Sequence, residues 1–181
     1  MKLKGILLLL LIILNISAFA VNSSKKSIKE IDKMDVKELQ EVKDRLELQN
    51  LVYTFSNLSD TKEIDKQVML FTENASVQSF ENGVAGNKYV GREEIGKAFK
   101  NYLAQFETVF HMNGQQTVTI KGDTAEGINY CQVVLIKTEN GKKIRITRGV
   151  RYQDKYRKVN GKWYIEDRKS NFMWGATDEI K

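Results

Sequence analysis

The chain has 181 residues, a formal net charge of +6, one histidine (His111) and one cysteine (Cys131). A single cysteine excludes an internal disulfide. One imidazole and one thiol also exclude the usual zinc or iron site, so we expect neither a metal nor a cofactor. The basic excess is small and spread along the chain, which argues against a nucleic-acid-binding protein.

The first twenty residues are typical of a secretory signal peptide. Lys2 and Lys4 precede an apolar run at residues 6–16, and Ala18-Phe19-Ala20 matches a small-x-small cleavage site. An uncleaved membrane anchor is the alternative, but the run is shorter than the roughly 20 residues that a span requires. We therefore expect export to the periplasm or the cell exterior, with no membrane span in the mature chain. Residues 1–20 hold two lysines and no acid, so cleavage lowers the charge from +6 to +4.

Three helices are predicted after a polar, mobile leader at residues 21–36. Apolar residues at three- and four-residue steps predict a long first helix from Asp35 to Ser59. A second helix begins at Ile64 and ends near Glu73–Asn74. The next predicted elements are a short strand at residues 75–80, a loop at residues 81–91 and a third helix at residues 92–107.

In the second half of the chain the apolar spacing changes to two residues, which predicts a meander of antiparallel strands. Asn140-Gly141 and Asn160-Gly161 are typical of two-residue hairpin turns. Gly149 interrupts one long strand and predicts a bulge or bend. The predicted strands cover residues 117–120, 124–138, 144–156 and 163–174. Helices followed by a meander favour the α+β class.

Several short segments, in their order and spacing, resemble SnoaL-like proteins of the nuclear-transport-factor-2-like superfamily. They are residues 44–53, 70–75, 91–95, 111–114, 122–125, 130–131, 151–156 and 161–165. The resemblance covers residues 37–175 and implies one domain at residues 37–176, followed by a tail at residues 177–181. It implies a cone in which three N-terminal helices pack in a curved antiparallel sheet around an apolar pocket.

The resemblance also implies a pocket pair of Asp60 and His111. The carboxylate would orient the imidazole, which would then move a proton on a substrate. Asp60 has a second interpretation, because with Glu63 it could form a capping box for the second helix. Tyr53 could donate a hydrogen bond to an oxyanion, as could Tyr130, although both could also be core aromatics. The expected pocket lining is Tyr53, Phe55, Phe99, Tyr130 and Trp174.

One departure from the family pattern concerns the strand after Tyr130-Cys131. Scytalone-type dehydratases place a second histidine there, whereas this chain has Gln132-Val133-Val134-Leu135. Dehydration by two histidines is therefore disfavoured, and proton transfer by one base or plain binding remains. Five basic residues further along the chain are interpreted as a solvated outer face of the sheet, with a weak contact to an anionic ligand or a membrane surface as the alternative: Arg148, Arg151, Lys155, Arg157 and Lys158.

Three functions are compatible with these features. The first is an exported binding protein that holds a small apolar molecule in the cone. The second is a cofactor-independent lyase, isomerase or cyclase that uses Asp60 and His111. The third is a homodimeric interaction domain that pairs through the sheet face around a vestigial pocket.

Overall fold

The computed structural model describes residues 35–181, so the predicted signal peptide and residues 21–34 of the predicted leader lie outside the described residues. The described chain divides after Lys43 into two units. In the first, residues 35–43 are helical, and Val36, Leu39 and Val42 are exposed. The second unit, Asp44–Lys181, contains the sheet and the cavities described below.

In the second unit, the first helix buries apolar residues at the predicted three- and four-residue steps, and the third helix begins where it was predicted. Residues 35–60 are helical (α1), and the part of α1 in the second unit buries one face. That face consists of Leu48, Leu51, Val52 and Phe55. A short helix at Ile64–Gln67 (α2) continues as a 3₁₀ turn at Val68–Leu70, and a longer helix covers Arg92–Leu103 (α3).

The six strands of the second unit form one sheet in the order β2-β1-β6-β5-β4-β3. They are Phe71–Glu81 (β1), Val84–Val90 (β2), Thr108–Lys121 (β3), Thr124–Glu139 (β4), Lys142–Val159 (β5) and Lys162–Ile180 (β6). The pairings within β3-β4-β5-β6 and between β1 and β2 are antiparallel. The β1–β6 pair is parallel, so the sheet is mixed, whereas the sequence predicted an antiparallel sheet.

Asn-Gly dipeptides make the tight hairpin turns. Asn140 and Gly141 have φ angles of 54° and 75°, and Asn160 and Gly161 have 50° and 78°. Both positions of such a turn need positive φ, which Gly adopts freely and Asn tolerates. Both predicted hairpins are therefore present.

Five predicted boundaries are wrong or incomplete. The first strand of the meander, predicted at residues 117–120, already begins at Thr108. The second helix does not reach Glu73–Asn74, because Phe71 already begins β1 and is buried opposite Ile165 of β6. The predicted loop at residues 81–91 is a third Asn-Gly turn followed by β2, an exposed edge strand that lacks the apolar alternation. The third helix ends at Leu103 instead of Glu107. Residues 177–180, predicted as a tail, extend β6.

Two clusters of buried apolar side chains lie between the helices and the inner face of the sheet. The first joins α1 to β1 and β6, around Phe71, Tyr156 and Ile165. The second joins α3 to β3, β4 and β5, around Leu103, Leu135 and Val150. Phe99 packs against both clusters. Each fully buried side chain of this size contributes about 1.5–3 kcal/mol, and together they hold α1 and α3 over the sheet.

Candidate functional site

Asp60, the last residue of α1, binds His111 of β3 at two points. The carboxylate Oδ1 lies 2.7 Å from the imidazole Nδ1, and Oδ2 accepts a hydrogen bond from the His111 backbone N–H at 3.2 Å. The His111 side chain is 6% exposed and that of Asp60 is 24% exposed. A carboxylate only accepts hydrogen bonds, so in the neutral imidazole this contact places the ring proton on Nδ1 and the lone pair on Nε2.

The alternative role of Asp60 as a helix cap is not observed. The residue before α2 is Glu63, and no side chain forms a capping hydrogen bond there. Thr61 instead donates to Glu63 at 3.0 Å. Because both Asp60 oxygens accept hydrogen bonds from His111, the structure assigns this carboxylate to the imidazole.

Strand alternation brings His111 to the inner face of the sheet. Val109, two residues earlier, is buried, whereas Phe110 and Met112 are exposed on the opposite face. Two residues later, Asn113 donates to Ser56 of α1 at 2.8 Å and accepts from Asn129 of β4 at 3.0 Å. These hydrogen bonds hold β3 against α1 at Asn113, two residues beyond His111.

His111 lines an inner cavity of about 120 Å³ between the helices and the sheet. Its walls are mostly apolar and aromatic, from Phe55, Phe99, Leu103, Val133, Leu135, Tyr152 and Phe172. A second cavity of about 380 Å³, here called the outer cavity, shares five lining residues with it. Those shared residues are Phe99, Tyr102, Arg148, Ser170 and Phe172. The inner cavity alone is smaller than the roughly 300 Å³ of a typical ligand site, and the outer cavity exceeds that size.

Arg168, another residue of the inner cavity, belongs to a buried ion pair. Arg168 of β6 is 1% exposed and donates from Nε and Nη2 to the two carboxylate oxygens of Asp154, at 2.8 and 2.7 Å. The guanidinium carbon also lies 4.2 Å from the ring centre of Phe55 and 4.5 Å from that of Tyr152. Ionic, planar and stacking contacts together hold this guanidinium in one orientation.

A bulge in β6 is responsible for the inward position of Arg168. Lys155 pairs with Asp167 and Tyr156 pairs with Ile165, so Glu166 is an extra residue in the strand. Without it, the alternation that buries Trp163 and Ile165 would place Asp167 inside and Arg168 outside. The bulge therefore puts the arginine directly opposite Asp154.

Burial raises the pKa of a thiol and a phenol near this cavity, those of Cys131 and Tyr152. It raises the pKa of the Cys131 thiol to about 12, so this cysteine stays protonated and is a poor nucleophile at neutral pH. Burial also raises the pKa of the Tyr152 phenol. The carboxylate of Asp154 raises the pKa of Arg168, against the opposing effect of burial, so the guanidinium remains charged.

The predicted lining residues divide into two groups. Phe55 and Phe99 line the inner cavity. Tyr53, Tyr130 and Trp174 line neither cavity. Tyr53 is 39% exposed, two residues from Phe55 and hence on a different face of α1. Tyr130 alternates with the buried Asn129 and Cys131, which turns it to the outer face of β4.

Trp174 lies on the outer face because a second bulge, at Met173, separates it from the cavity residue Phe172. Val150 pairs with Phe172 and Gly149 pairs with Trp174. The indole lies against Gly149, where a Cβ atom would clash with it. The sequence predicted a bulge at Gly149, but the extra residue lies opposite it in β6, while β5 pairs with β4 without a shift. This break in register is the reason that the predicted position of Trp174 in the pocket is wrong.

Several cavity residues were not predicted from sequence. Asp154 alternates with Val150, Tyr152 and Tyr156, and a carboxylate on that apolar face was a usable sign of a buried cation. Ser59 and Gln67 also line the inner cavity, but the sequence around them gave no sign that these polar side chains are buried. Arg148 was assigned to a solvated outer face, but it lines both cavities and pairs with Glu81 at 3.1 Å.

The β4 segment at which scytalone-type dehydratases place a second histidine has apolar side chains facing the inner cavity here. Val133 and Leu135 point from β4 into the inner cavity. Within residues 35–181 there is no group of three or more His, Cys, Asp or Glu side chains able to hold a metal ion. Nor does any helix in that range have the length and apolar character to cross a membrane.

Comparison with known proteins agrees with this architecture. A family model described as a SnoaL-like domain matches residues 40–169. An uncharacterized protein of Mycobacterium tuberculosis is 26% identical over 125 residues, which cover 69% of this chain and 82% of that protein.

Solved structures give the same result. A protein of Novosphingobium aromaticivorans, provisionally named an aromatic ring hydroxylase, is 25% identical with a TM-score of 0.65, covering 77% of this chain and 94% of that one. A nuclear-transport-factor-2-like protein with a cystatin-like fold, from the same organism, is 21% identical with a TM-score of 0.59, covering 76% and 86%. The second likeness concerns the fold alone.

Proposed function

This chain belongs to the SnoaL-like domain family, and we propose that it binds a small, mainly apolar molecule and moves a proton on it with His111 as the base. The reaction class is that of a cofactor-independent lyase, isomerase or cyclase. The observation that carries the proposal is the 2.7 Å contact between Asp60 Oδ1 and His111 Nδ1 at the wall of a mainly apolar cavity.

The contact supports general-base chemistry for two physical reasons. With Nδ1 engaged by Asp60, the free lone pair is on Nε2, and the carboxylate stabilises the imidazolium that forms when Nε2 takes a proton. An imidazole is also able to accept and release a proton near neutral pH. Asp60 is thus a positioning residue, and His111 is the candidate catalytic residue.

The cavity supports an apolar substrate of limited size. A volume of about 120 Å³ is close to the roughly 150 Å³ of an apolar cavity that holds a benzene ring. The outer cavity of about 380 Å³ offers space for the remainder of a larger molecule. Because Val133 and Leu135 occupy the wall of β4, a single base acts here, which favours proton abstraction over two-histidine dehydration.

Hydrogen–deuterium exchange tests this proposal. Mature protein in heavy water is incubated with three aromatic carbon acids, namely beta-tetralone, phenylnitromethane and phenylacetonitrile, and loss of the acidic C–H signal is followed by proton NMR. We expect catalysed exchange of at least one, and H111Q should lower its rate by about 10²–10⁴-fold. Tyr53→Phe, which changes a residue outside both cavities, is the control and should retain the wild-type rate.

Binding without turnover is the alternative outcome. It would be established if none of the three compounds exchanged faster than in buffer while at least one bound to the cavity by fluorescence or calorimetry. Equal exchange by wild type and H111Q would likewise reject His111 as the base.

We also propose that the protein forms a homodimer through the outer face of the sheet. Phe110, Met112 and Trp174 are exposed on this face. Strand pairing aligns Met112, Gln132, Gly149 and Trp174 in one row across four strands. Large apolar side chains grouped on a sheet face are typical of a self-complementary interface.

The mass of the protein in solution tests the dimer. Light scattering after size exclusion should give twice the mass of the mature chain. Met112→Lys should reduce the mass to that of a monomer, and Val159→Lys, which adds the same charge to an exposed valine at the end of β5, should not. A monomeric wild-type protein at high micromolar concentration would refute this proposal.

Export remains a proposal that rests on residues 1–20 alone. Cleavage after Ala20 predicts a mature N-terminus at Val21. N-terminal sequencing of the protein recovered from the periplasm or culture medium of an expressing bacterium would identify that residue. Recovery of the chain only in the cytoplasm with Met1 intact would contradict it.

A further inference from the structure

Arg168, which lines the inner cavity, carries a hydrogen-bond donor that no described residue uses. Nε and Nη2 are engaged by Asp154, but Nη1 is buried and has no hydrogen-bond partner among the described residues. The guanidinium is planar, so Nη1 lies on the edge opposite the carboxylate. Arg168, Phe55 and Tyr152 all line the inner cavity, which also contains His111.

An unpaired donor on a buried, charged group is costly and calls for a partner. Gln67 lines the same cavity and has the complementary feature. Its Nε2 donates to the Phe55 carbonyl at 3.1 Å, while its buried Oε1 has no hydrogen-bond partner among the described residues. The inner cavity therefore offers one donor and one acceptor in addition to the imidazole, on walls that are otherwise largely apolar.

The charges around Arg168 determine which ligand group suits Nη1. Asp154 neutralises the guanidinium, and Glu81 neutralises Arg148 at the border of the outer cavity. Asp60 adds one negative charge beside His111. The net charge beside Nη1 is therefore close to zero, so a ligand anion gains from a direct hydrogen bond to Nη1 and little from a general positive field. A neutral carbonyl oxygen that becomes negative only during the reaction gains a fixed donor when its charge appears.

We propose that the substrate of this site is a carbonyl compound whose oxygen is bound by Arg168 Nη1, with the reacting C–H bond on the adjacent carbon. This inference rests on the proposed function, because it assumes that His111 removes that proton. It specifies the substrate class, a small apolar ketone or related carbonyl compound, and the second residue that contacts the reacting atoms.

The proton-transfer step is balanced within these residues. His111 Nε2 takes the proton from the α-carbon, the C–H electron pair forms the C=C bond, and the C=O π pair moves to oxygen. The resulting enolate oxygen accepts from Arg168 Nη1. Return of the proton from Nε2–H to the same or another carbon regenerates the carbonyl and the neutral imidazole.

A pair of matched probes tests the oxygen contact without requiring turnover. The para-nitrophenolate ion resembles an aromatic enolate, and para-nitrotoluene has the same shape with a methyl group in place of the oxygen. We expect wild-type protein to bind the phenolate at least about tenfold more tightly, the usual effect of a charged hydrogen bond in a desolvated site. The absorbance of bound para-nitrophenol should also show ionisation at a lower pH than in free solution.

Two arginine variants assign the effect to a residue. R168K retains a positive charge beside Asp154, but all its donors sit on one nitrogen and none occupies the position of Nη1, so the preference for phenolate should fall to within about threefold. R148Q removes the other arginine that lines the cavity and should leave the preference intact. Binding of para-nitrotoluene should be similar in all three proteins.

The outcomes separate this inference from the proposed function. No preference for phenolate in wild type, or a preference lost in R148Q and kept in R168K, would overturn the role of Arg168 even if H111Q abolished exchange. A preference lost only in R168K would support that role even if no carbon acid exchanged. If R168K does not fold, the ionisation of bound para-nitrophenol in wild type decides, and an unchanged or higher ionisation pH would overturn the inference.

Discussion

Asp60 holds His111 by both of its oxygens, one on the imidazole Nδ1 at 2.7 Å and one on the backbone N–H at 3.2 Å. The second contact fixes the strand as well as the ring, so the carboxylate orients the imidazole relative to β3. A residue at the end of α1 thereby determines both the tautomer and the direction of the candidate base.

Replacing Asp60 with Asn should strongly reduce the rate of proton transfer by His111, although the two side chains are nearly equal in size. An Asn side chain has one acceptor oxygen and one NH₂ group that only donates, so it cannot present an acceptor to both N–H groups as the two oxygens of Asp60 do. We expect exchange of the reactive carbon acid to fall by about 10²-fold or more, as expected when a general base loses its orientation. The measurement is the NMR exchange rate.

The D60N/H111Q double variant provides the control for this prediction. Because Asp60 acts through His111, the double variant should be no slower than H111Q alone. Additive losses would show that Asp60 contributes independently of the imidazole.

The buried Asp154–Arg168 pair should stabilise the fold far more than an exposed pair of the same geometry. D154N leaves a buried guanidinium without its counter-charge, and we expect a loss of about 3–5 kcal/mol in the free energy of unfolding. Arg145 and Asp178 make the same two-point contact at 3.1 and 2.7 Å on an exposed part of β5 and β6. D178N should cost about 0–1 kcal/mol.

Urea denaturation of D154N and D178N measures both values. Equal, small losses would mean that stacking on Phe55 and Tyr152 stabilises the guanidinium of Arg168 even without its counter-charge.

Cys131 should resist alkylation in the folded protein. Burial raises the pKa of its thiol to about 12, so almost no thiolate is present at pH 8. Iodoacetamide should label the protein in urea and leave it unlabelled under native conditions, as read by mass spectrometry. Native labelling at the rate of a free thiol would contradict the burial of this side chain.

The same shift predicts a pH dependence of stability. An unfolded cysteine ionises at about pH 8.5, whereas the folded protein keeps the proton. The contribution of this thiol is therefore fully present below that pH and decreases as the pH rises toward about 12. Between pH 8 and 9.5, the wild type should lose more stability than C131A, in which this ionisation is absent.

Gly149→Ala should destabilise the protein through Trp174. A Cβ at this position would clash with the indole on the outer face. We expect a loss of about 1–3 kcal/mol, the range for overpacking. In a W174A background the same change should cost much less, because the clashing ring is absent. Urea curves of the four proteins form the cycle, and an equal cost in both backgrounds would place the strain in the backbone.

Local sequence patterns determined much of this protein. Apolar steps of three and four residues placed α1 and the start of α3, and alternation placed β4 and β5. Asn-Gly dipeptides placed two hairpins correctly, since few other residues tolerate two successive positive φ angles. The predicted α+β fold and the SnoaL-like resemblance were confirmed.

Tertiary structure decided the features that depend on long-range register. The extra residue at Glu166 reverses the face of Arg168, and the break at Met173 separates Trp174 from Phe172. A bulge of one residue leaves no mark on local propensity, yet it changes which side chains are buried, because the side-chain period in a strand is two. His111 was visible as the only histidine, whereas the arginine beside it in the cavity depended on pairing between strands that local spacing cannot predict.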